Sequence, residues 1–437
     1  MAAELLRATV FHTPRNPFLE AKALEAYADG GLLIRGGRVV GCGDYGTVCR
    51  AHPAIPTTDL RGGVLLPGFV DTHSHFPQLR IIGALGKDLL DWLEEFALPE
   101  EARMADLSYA TSTAQAFVRA LIANGTTTAL VFGAHFAPAT AALFEAAEDS
   151  GLRLISGMVL SDRSLRPELH QTIQQAYTDS SELIRRFHRR RHLLYAVTPR
   201  FALSTSEAML EMCQTLAREN PDVRIQTHLN ESVREIEAVA RRFPWAQDYF
   251  AIYERFQLTG RRSVMAHNVH PRGTELERLA SSGTAVAHCP CSNAALGSGI
   301  FPLQRHMEAR VRVALGTDLG AGTGAGMLKE GLQAYALQRL SPEGTVLDPA
   351  QLLFLATRAG AEALGLESET GDFTPGKSAD FVYLRPPKES VLATVAERAG
   401  SMERLLAALF TLGDASAVAE VRIGGQRVFS ARPADDH

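Results

Sequence analysis

Pro67-Gly68-Phe69-Val70-Asp71-Thr72-His73-Ser74-His75 is an apolar run that ends in two histidines two positions apart. Side chains at i and i+2 of a strand face the same way, so both imidazoles aim at one point. That pairing suits a metal ion. Outward from it, seven further β-branched or apolar runs follow in order: TTTALVFGAH, LRLISGMVL, HLLYAVTPRF, VRIQTHL, RSVMAHNV, TAVAHCPCSN and VRVALGTD. The segments between them carry helical periodicity, as in Ser232 to Phe243, where Val233, Ile236, Val239, Ala240 and Phe243 recur at three and four. Eight strands alternating with helices over roughly 250 residues predict an α/β fold, a (β/α)8 TIM-type barrel with the histidine pair at the carboxyl end of its first strand.

The ends of the chain read differently. GLLIRGGRVVG at 31–41 and VRIGGQRVF at 421–429 are alternating strands around Gly-Gly turns, and both predict hairpins. They are expected to join in one small β-sandwich made from both termini, residues 1–66 with 372–437, around a catalytic barrel at 67–371. Gly371 to Asp380 (GDFTPGKSAD) marks the return from barrel to sandwich.

The mouth of such a barrel collects more chemistry. His228 closes the fifth run, His267 the sixth and Asp318 the eighth, all where TIM-barrel active sites are built. Nitrogen and carboxylate ligands without thiolate favour zinc, with iron or another divalent ion as the alternatives. A metal so held lowers the pKa of bound water to about 7. Glu231, three residues after His228, stands where strand gives way to helix and can shuttle the proton, with Asp318 as its acceptor. Cys289 and Cys291 lack a partner pair and read as core thiols rather than ligands.

Composition bounds the rest. With 437 residues and 46% hydrophobic side chains the chain can bury a large core, and a net charge of −5 supplies no basic face for nucleic acid. Five cysteines, an odd number, argue against a disulfide scaffold and for a reducing cytoplasm. No apolar stretch of signal or membrane-spanning length occurs, so no membrane partner is expected.

PGFVDTHSH, THLNE, MAH, GTD and the tail GDFTPGKSADFV together resemble the amidohydrolase superfamily over nearly the whole chain. Pro77-Gln78, the LLDWL run at Leu89 to Leu93, Thr198-Pro199-Arg200-Phe201 and HCPCSN from His288 narrow the resemblance to the guanine deaminase family. It implies that His73, His75, His228 and Asp318 hold one zinc ion per subunit. His267 would orient the water or lend a longer bond, with Glu231 as acid and base. Gln78, Arg200 and Phe201 would read a purine, alongside His75, His228 and Asp318 near the reacting centre. Arginine donors match guanine O6 and N7, and an aromatic ring stacks on the purine face. The implied reaction is attack of metal-bound hydroxide on C2 of guanine, giving xanthine and ammonia in purine catabolism or salvage, by a cytoplasmic homodimer.

Asn230 departs from the hydroxyl or small residue that often precedes the glutamate, which puts a local hydrogen bond in doubt. The competing readings are deamination or dechlorination of another nitrogen heterocycle (an adenosine derivative, cytosine or a triazine), or a non-catalytic scaffold. A scaffold would typically have lost ligands, and none is missing. The fourth run offers no lysine to carboxylate, which favours one metal. The other zinc-deaminase signature fails, because no cysteine follows His306-Met307-Glu308.

Overall fold

The computed structural model describes residues 3–431, so residues 1–2 and 432–437, the outer limits of the terminal unit expected above, lie outside the described residues. Four strands open the chain: β1 (Glu4–His12), β2 (Glu25–Arg35), β3 (Arg38–Asp44) and β4 (Thr57–Pro67). Nine follow: β5 (Phe69–His75), β6 (Thr126–Phe132), β7 (Arg153–Gly157), β8 (Val159–Leu160), β9 (Leu193–Pro199), β10 (Arg224–Leu229), β11 (Ser263–His267), β12 (Ala285–His288) and β13 (Arg312–Leu315). The last three are β14 (Phe381–Leu384), β15 (Val418–Ile423) and β16 (Gln426–Ser430).

The parallel path β5-β6-β7-β9-β10-β11-β12-β13 is the eight-stranded barrel, with β8 a short addition beside β9. Helices such as Leu107–Ala123, Ala137–Ser150, Ile173–Phe187 and Glu207–Glu219 intervene between successive strands. Because helices cover the outside and side chains fill the inside, every residue of β5 and β6 is buried, and these strands read as unbroken runs rather than alternations.

Two boundaries differ from the sequence reading. The seventh strand stops at His288, and Pro290 opens the helix Pro290–Ala295, so Cys291 sits on a helix; proline at the first helical position is preorganised for that start. The eighth strand ends at Leu315, and Asp318 lies in the loop beyond it.

The helix expected after the fifth strand runs Val233–Arg242, capped by Ser232 and Glu235 in a reciprocal box. Ile236, Val239 and Phe243 are buried as expected, but the rest of the stripe differs. Val233 is 48% exposed and Ala240 is exposed, while Glu235 is fully buried beside Ile236 and Val239. Glu235 holds that place because the Tyr249 hydroxyl and the amides of Glu231 and Ser232 all donate to its carboxylate.

The remaining strands form one seven-stranded sheet in the order β16-β15-β14-β4-β1-β2-β3, joining both ends of the chain. Both Gly-Gly turns have positive φ at each glycine (Gly36 58°, Gly37 78°; Gly424 57°, Gly425 72°), the backbone a two-residue hairpin demands. Leu6, Val10, Leu32, Ile34, Leu65, Phe373 and Phe381 cluster as the core of this unit.

Among the described residues β5 and β13 share no backbone ladder. Side-chain hydrogen bonds and one backbone bond close the barrel there instead. Asp71 accepts from the Thr317 amide (2.9 Å) and hydroxyl (2.6 Å), the Thr72 hydroxyl donates to the Leu315 carbonyl (2.8 Å), and the Asp318 amide donates to the His73 carbonyl (2.8 Å). Gly316 allows this approach, since a Cβ there would lie 2.8 Å from His73 Cβ.

Candidate active site

The closed seam places Asp318 directly against the histidine pair of β5. Its Oδ1 lies 3.3 Å from His73 Nε2 and 3.5 Å from His75 Nε2, and His75 Nε2 faces His228 Nε2 at 3.3 Å. His267 Nε2 lies 3.4 Å from Glu231 Oε2 and 3.9 Å from Asp318 Oδ2. His73, His75 and His228, and again His73, His267 and Asp318, bring their ligand atoms within 4.8 Å of one another. Phe132 backs the cluster, its ring 4.5 to 5.1 Å from those of His75, His228 and His73.

Hydrogen bonds on the far side of two rings settle which nitrogen faces inward. His228 Nδ1 lies 2.6 Å from the Arg200 carbonyl, which can only accept, so Nδ1 carries the proton and Nε2 presents a lone pair. His267 Nδ1 has the same relation to Asn293 Oδ1 at 2.9 Å. The buried Nε2 atoms of His73 and His267 have no hydrogen-bond partner. Lone pairs crowded together in a buried site, next to a carboxylate, are the donor set a divalent ion such as zinc takes.

Charge states agree with that reading. Burial first, and then the neighbouring imidazoles, hold His75 and His228 well below the usual histidine range, so both are neutral. Burial would raise Asp318, but the surrounding histidines outweigh it and keep its carboxyl well below the ordinary value. Glu231 goes the other way. Burial, followed by repulsion from Asp318 and Glu235, pushes it well above the carboxylate range, and its Oε1 has no partner. Two acids that both approach His267 Nε2 are thus driven to opposite protonation states, the arrangement of a proton donor beside a proton acceptor.

Backbone strain is concentrated here as well. Asn230 (φ 49°), His267 (72°), Asn268 (46°) and Asp318 (45°) all adopt left-handed conformations at the mouth. Asn230 donates to Asn268 Oδ1 (2.9 Å) and the Glu275 carboxylate (3.1 Å), which is the local hydrogen bond in question at that departure from the family pattern.

Gln78, on the short 3-10 helix Phe76–Ile81 after β5, and Arg200, after β9, meet above this cluster. They meet through a residue the sequence reading missed. Glu101, from the helix Leu98–Ala102, accepts from Gln78 Nε2 (2.7 Å) and from Arg200 Nη1 (2.8 and 3.0 Å). His135, also missed, lies 3.4 Å from the same carboxylate. Phe201 packs with Leu89, Trp92, Leu93 and Leu296 in a separate apolar cluster at the mouth, its ring 6.3 Å from that of His228. Asp71, Ser292 and Asn293 were likewise unread as site residues. Ser292 lay inside the quoted HCPCSN segment, and its hydroxyl donates to Asp318 Oδ2 at 2.6 Å.

Cys289 and Cys291 are buried free thiols outside the groups that could hold a cation, and burial pushes both above the ordinary thiol range. His306 pairs with Asn268 Nδ2 (2.9 Å), a structural contact. Among the described residues no helix is long and apolar enough to cross a membrane.

Behind the site, buried Glu330 accepts from the Cys291 amide at 3.1 Å, and burial raises it to about 8. A folded-state value above the unfolded one means stability that is complete at acid pH and lost as pH rises toward 8. Glu330→Gln keeps an acceptor and removes the ionisation. In thermal melts its advantage over the parent is expected to grow between about pH 5 and 8, then level off; a constant difference across that window would refute the buried neutral carboxyl.

The model of the amidohydrolase family matches residues 64–428. A probable guanine deaminase of Deinococcus radiodurans is 53% identical, over 98% of this chain and 99% of its own. The solved Escherichia coli guanine deaminase superposes with a TM-score of 0.94 at 39% identity, covering 98% of this chain and 99% of that one. The guanine deaminase of Bradyrhizobium japonicum gives 0.94 at 33% identity, covering 99% and 100%. With the barrel, the terminal sheet and the histidine-carboxylate mouth in place, these likenesses show that the chain belongs to the amidohydrolase family and, within it, to the guanine deaminases.

Proposed function

We propose that this protein hydrolyses guanine to xanthine and ammonia in purine catabolism or salvage, using one zinc ion per subunit held by His73, His75, His228 and Asp318. The observation that carries the proposal is the meeting of these four with His267 and Glu231 in one buried mouth. All six lie within residues 67–371, the unit to which we assign catalysis, with 1–66 and 372–437 as the flanking sheet. A divalent ion bound there supplies Lewis-acid activation of the attacking water.

The chain's own groups account for the protons. Asp318, ionised, takes a proton from the water as its oxygen bonds to C2, and His267 orients that water. Glu231, protonated, donates to ring nitrogen N3, so that the tetrahedral centre carries no excess charge. The proton held by Asp318 then passes to the exocyclic nitrogen while the C2 hydroxyl gives its proton to Glu231, so the C2–N bond breaks, ammonia leaves, N3 keeps its hydrogen and both carboxyls return to their starting states. Arg200 and Gln78 read the O6/N1 edge of the purine, and Phe201 packs on its face.

A homodimer in the cytoplasm completes the proposal, and the mass of the purified protein in solution tests its assembly. Purified protein given guanine, adenine, adenosine, cytosine and triazines in turn is expected to release ammonia fastest from guanine, with about one equivalent of metal per chain. A faster rate on any other heterocycle would reassign the substrate. Absence of both turnover and metal would leave only a scaffold.

A further inference from the structure

The purine end of the site contains a buried carboxylate with no part in the proton chemistry, and its contacts are ordered. Glu101 is 2% exposed, Arg200 3% and Gln78 1%. Both side-chain hydrogen bonds of the Arg200 guanidinium leave Nη1 for Glu101, so among the described residues Nη2 and Nε have no protein acceptor. Gln78 spends its amide nitrogen on the same carboxylate at 2.7 Å, and its Oε1 is buried without a partner. A carboxylate that accepts from arginine is acceptor-only, so the Gln78 amide must turn its NH2 toward Glu101 and its oxygen away.

We infer that Glu101 is a positioning residue that sets the hydrogen-bond polarity of the purine subsite: it fixes Gln78 as an acceptor and holds it beside Arg200, which can only donate. This rests on the reading that the chain takes guanine. Guanine presents a donor at N1–H next to an acceptor at O6, the complement of that pair. A purine with an amino group at C6 presents the reverse, an acceptor at N1 next to a donor, and meets oxygen with lone pair and guanidinium with N–H. A site whose buried polar groups are left unpaired rejects the wrong partner far more strongly than one that merely lacks a contact. Glu101 thereby converts a rotatable amide, which alone could read either edge, into a one-way reader.

The discriminating substrate pair is guanine and 2,6-diaminopurine, which keeps the reactive C2 amine and inverts the neighbouring edge. In E101Q the carboxamide can donate as well as accept, so the Gln78 amide is free to turn. The preference for guanine in kcat/KM is expected to narrow by ~10- to 100-fold, the range of one hydrogen bond to a charged group. That change should fall mainly on the KM for guanine, with metal content and kcat close to the parent's. Glu101→Asp keeps an acceptor-only group and is expected to retain the preference while raising KM. A merely structural role would lower both substrates in step, so an unchanged ratio in E101Q overturns the proposal. If E101Q yields no soluble protein, Glu101→Asp decides: a kept preference supports the assignment and a lost one overturns it. Ammonia release from guanine by the unaltered protein checks the underlying function separately, whatever the variants do.

Discussion

Glu231→Gln is expected to keep the fold and the metal and to lose roughly 10^3- to 10^4-fold in kcat on guanine, the upper part of the range for a positioned proton donor. The substitution is nearly isosteric. It leaves the approach to His267 and the capped helix behind it in place, since Ser232 and Glu235 make the cap. What it removes is a proton that burial and two neighbouring carboxylates hold on Glu231 well above the usual range. An amide can neither give that proton to N3 nor take up the one released by the C2 hydroxyl. Ammonia release, metal content and a melting curve on the same preparation are the measurements. A kcat within tenfold of the parent's would remove Glu231 from the proton route.

Stripping the metal with a chelator should abolish turnover and lower Tm, and one divalent ion should restore both. The stability effect follows from linkage, because an ion that binds the folded chain alone stabilises it by RT ln(1 + [M]/Kd). It also follows from what the stripped site contains: Nε2 atoms of His73 and His267 buried without partners, and two imidazole nitrogens face to face at 3.3 Å. The ion that restores activity at the lowest concentration, and that the untreated protein carries at about one equivalent, identifies the native metal. Full turnover from a preparation free of metal would refute the assignment of His73, His75, His228 and Asp318 as its ligands.

Much of this was legible in the chain because strand periodicity and residue type coincide at the barrel mouth. His73 and His75 at i and i+2, and His228 and His267 each at or next to the end of a strand, point inward by the geometry of a parallel barrel alone. The Gly-Gly turns of the terminal sheet were legible for a related reason, since few residues tolerate two successive positive φ angles. Glu101 was not legible. It sits in a short helix between barrel strands, among Glu94, Glu95 and Glu100, and nothing in the order of residues says which carboxylate turns inward to meet Arg200 across 99 positions. Asp71 and Thr317 escaped for the same reason, because their bond spans 246 positions and stands where a backbone ladder was expected. Val233 was misplaced because periodicity counts apolar residues, and here Glu235, an acid with three donors of its own, took the buried position.

The seam between the first and last barrel strands sets how much of the chain is indispensable. The site's imidazoles come from β5, β10 and β11, but the carboxylate that meets them lies just past β13, the last strand of the ring. A polypeptide ending before residue 312 lacks both that carboxylate and the bonds that tie β13 to β5, and is expected to be without activity however many of its histidines remain.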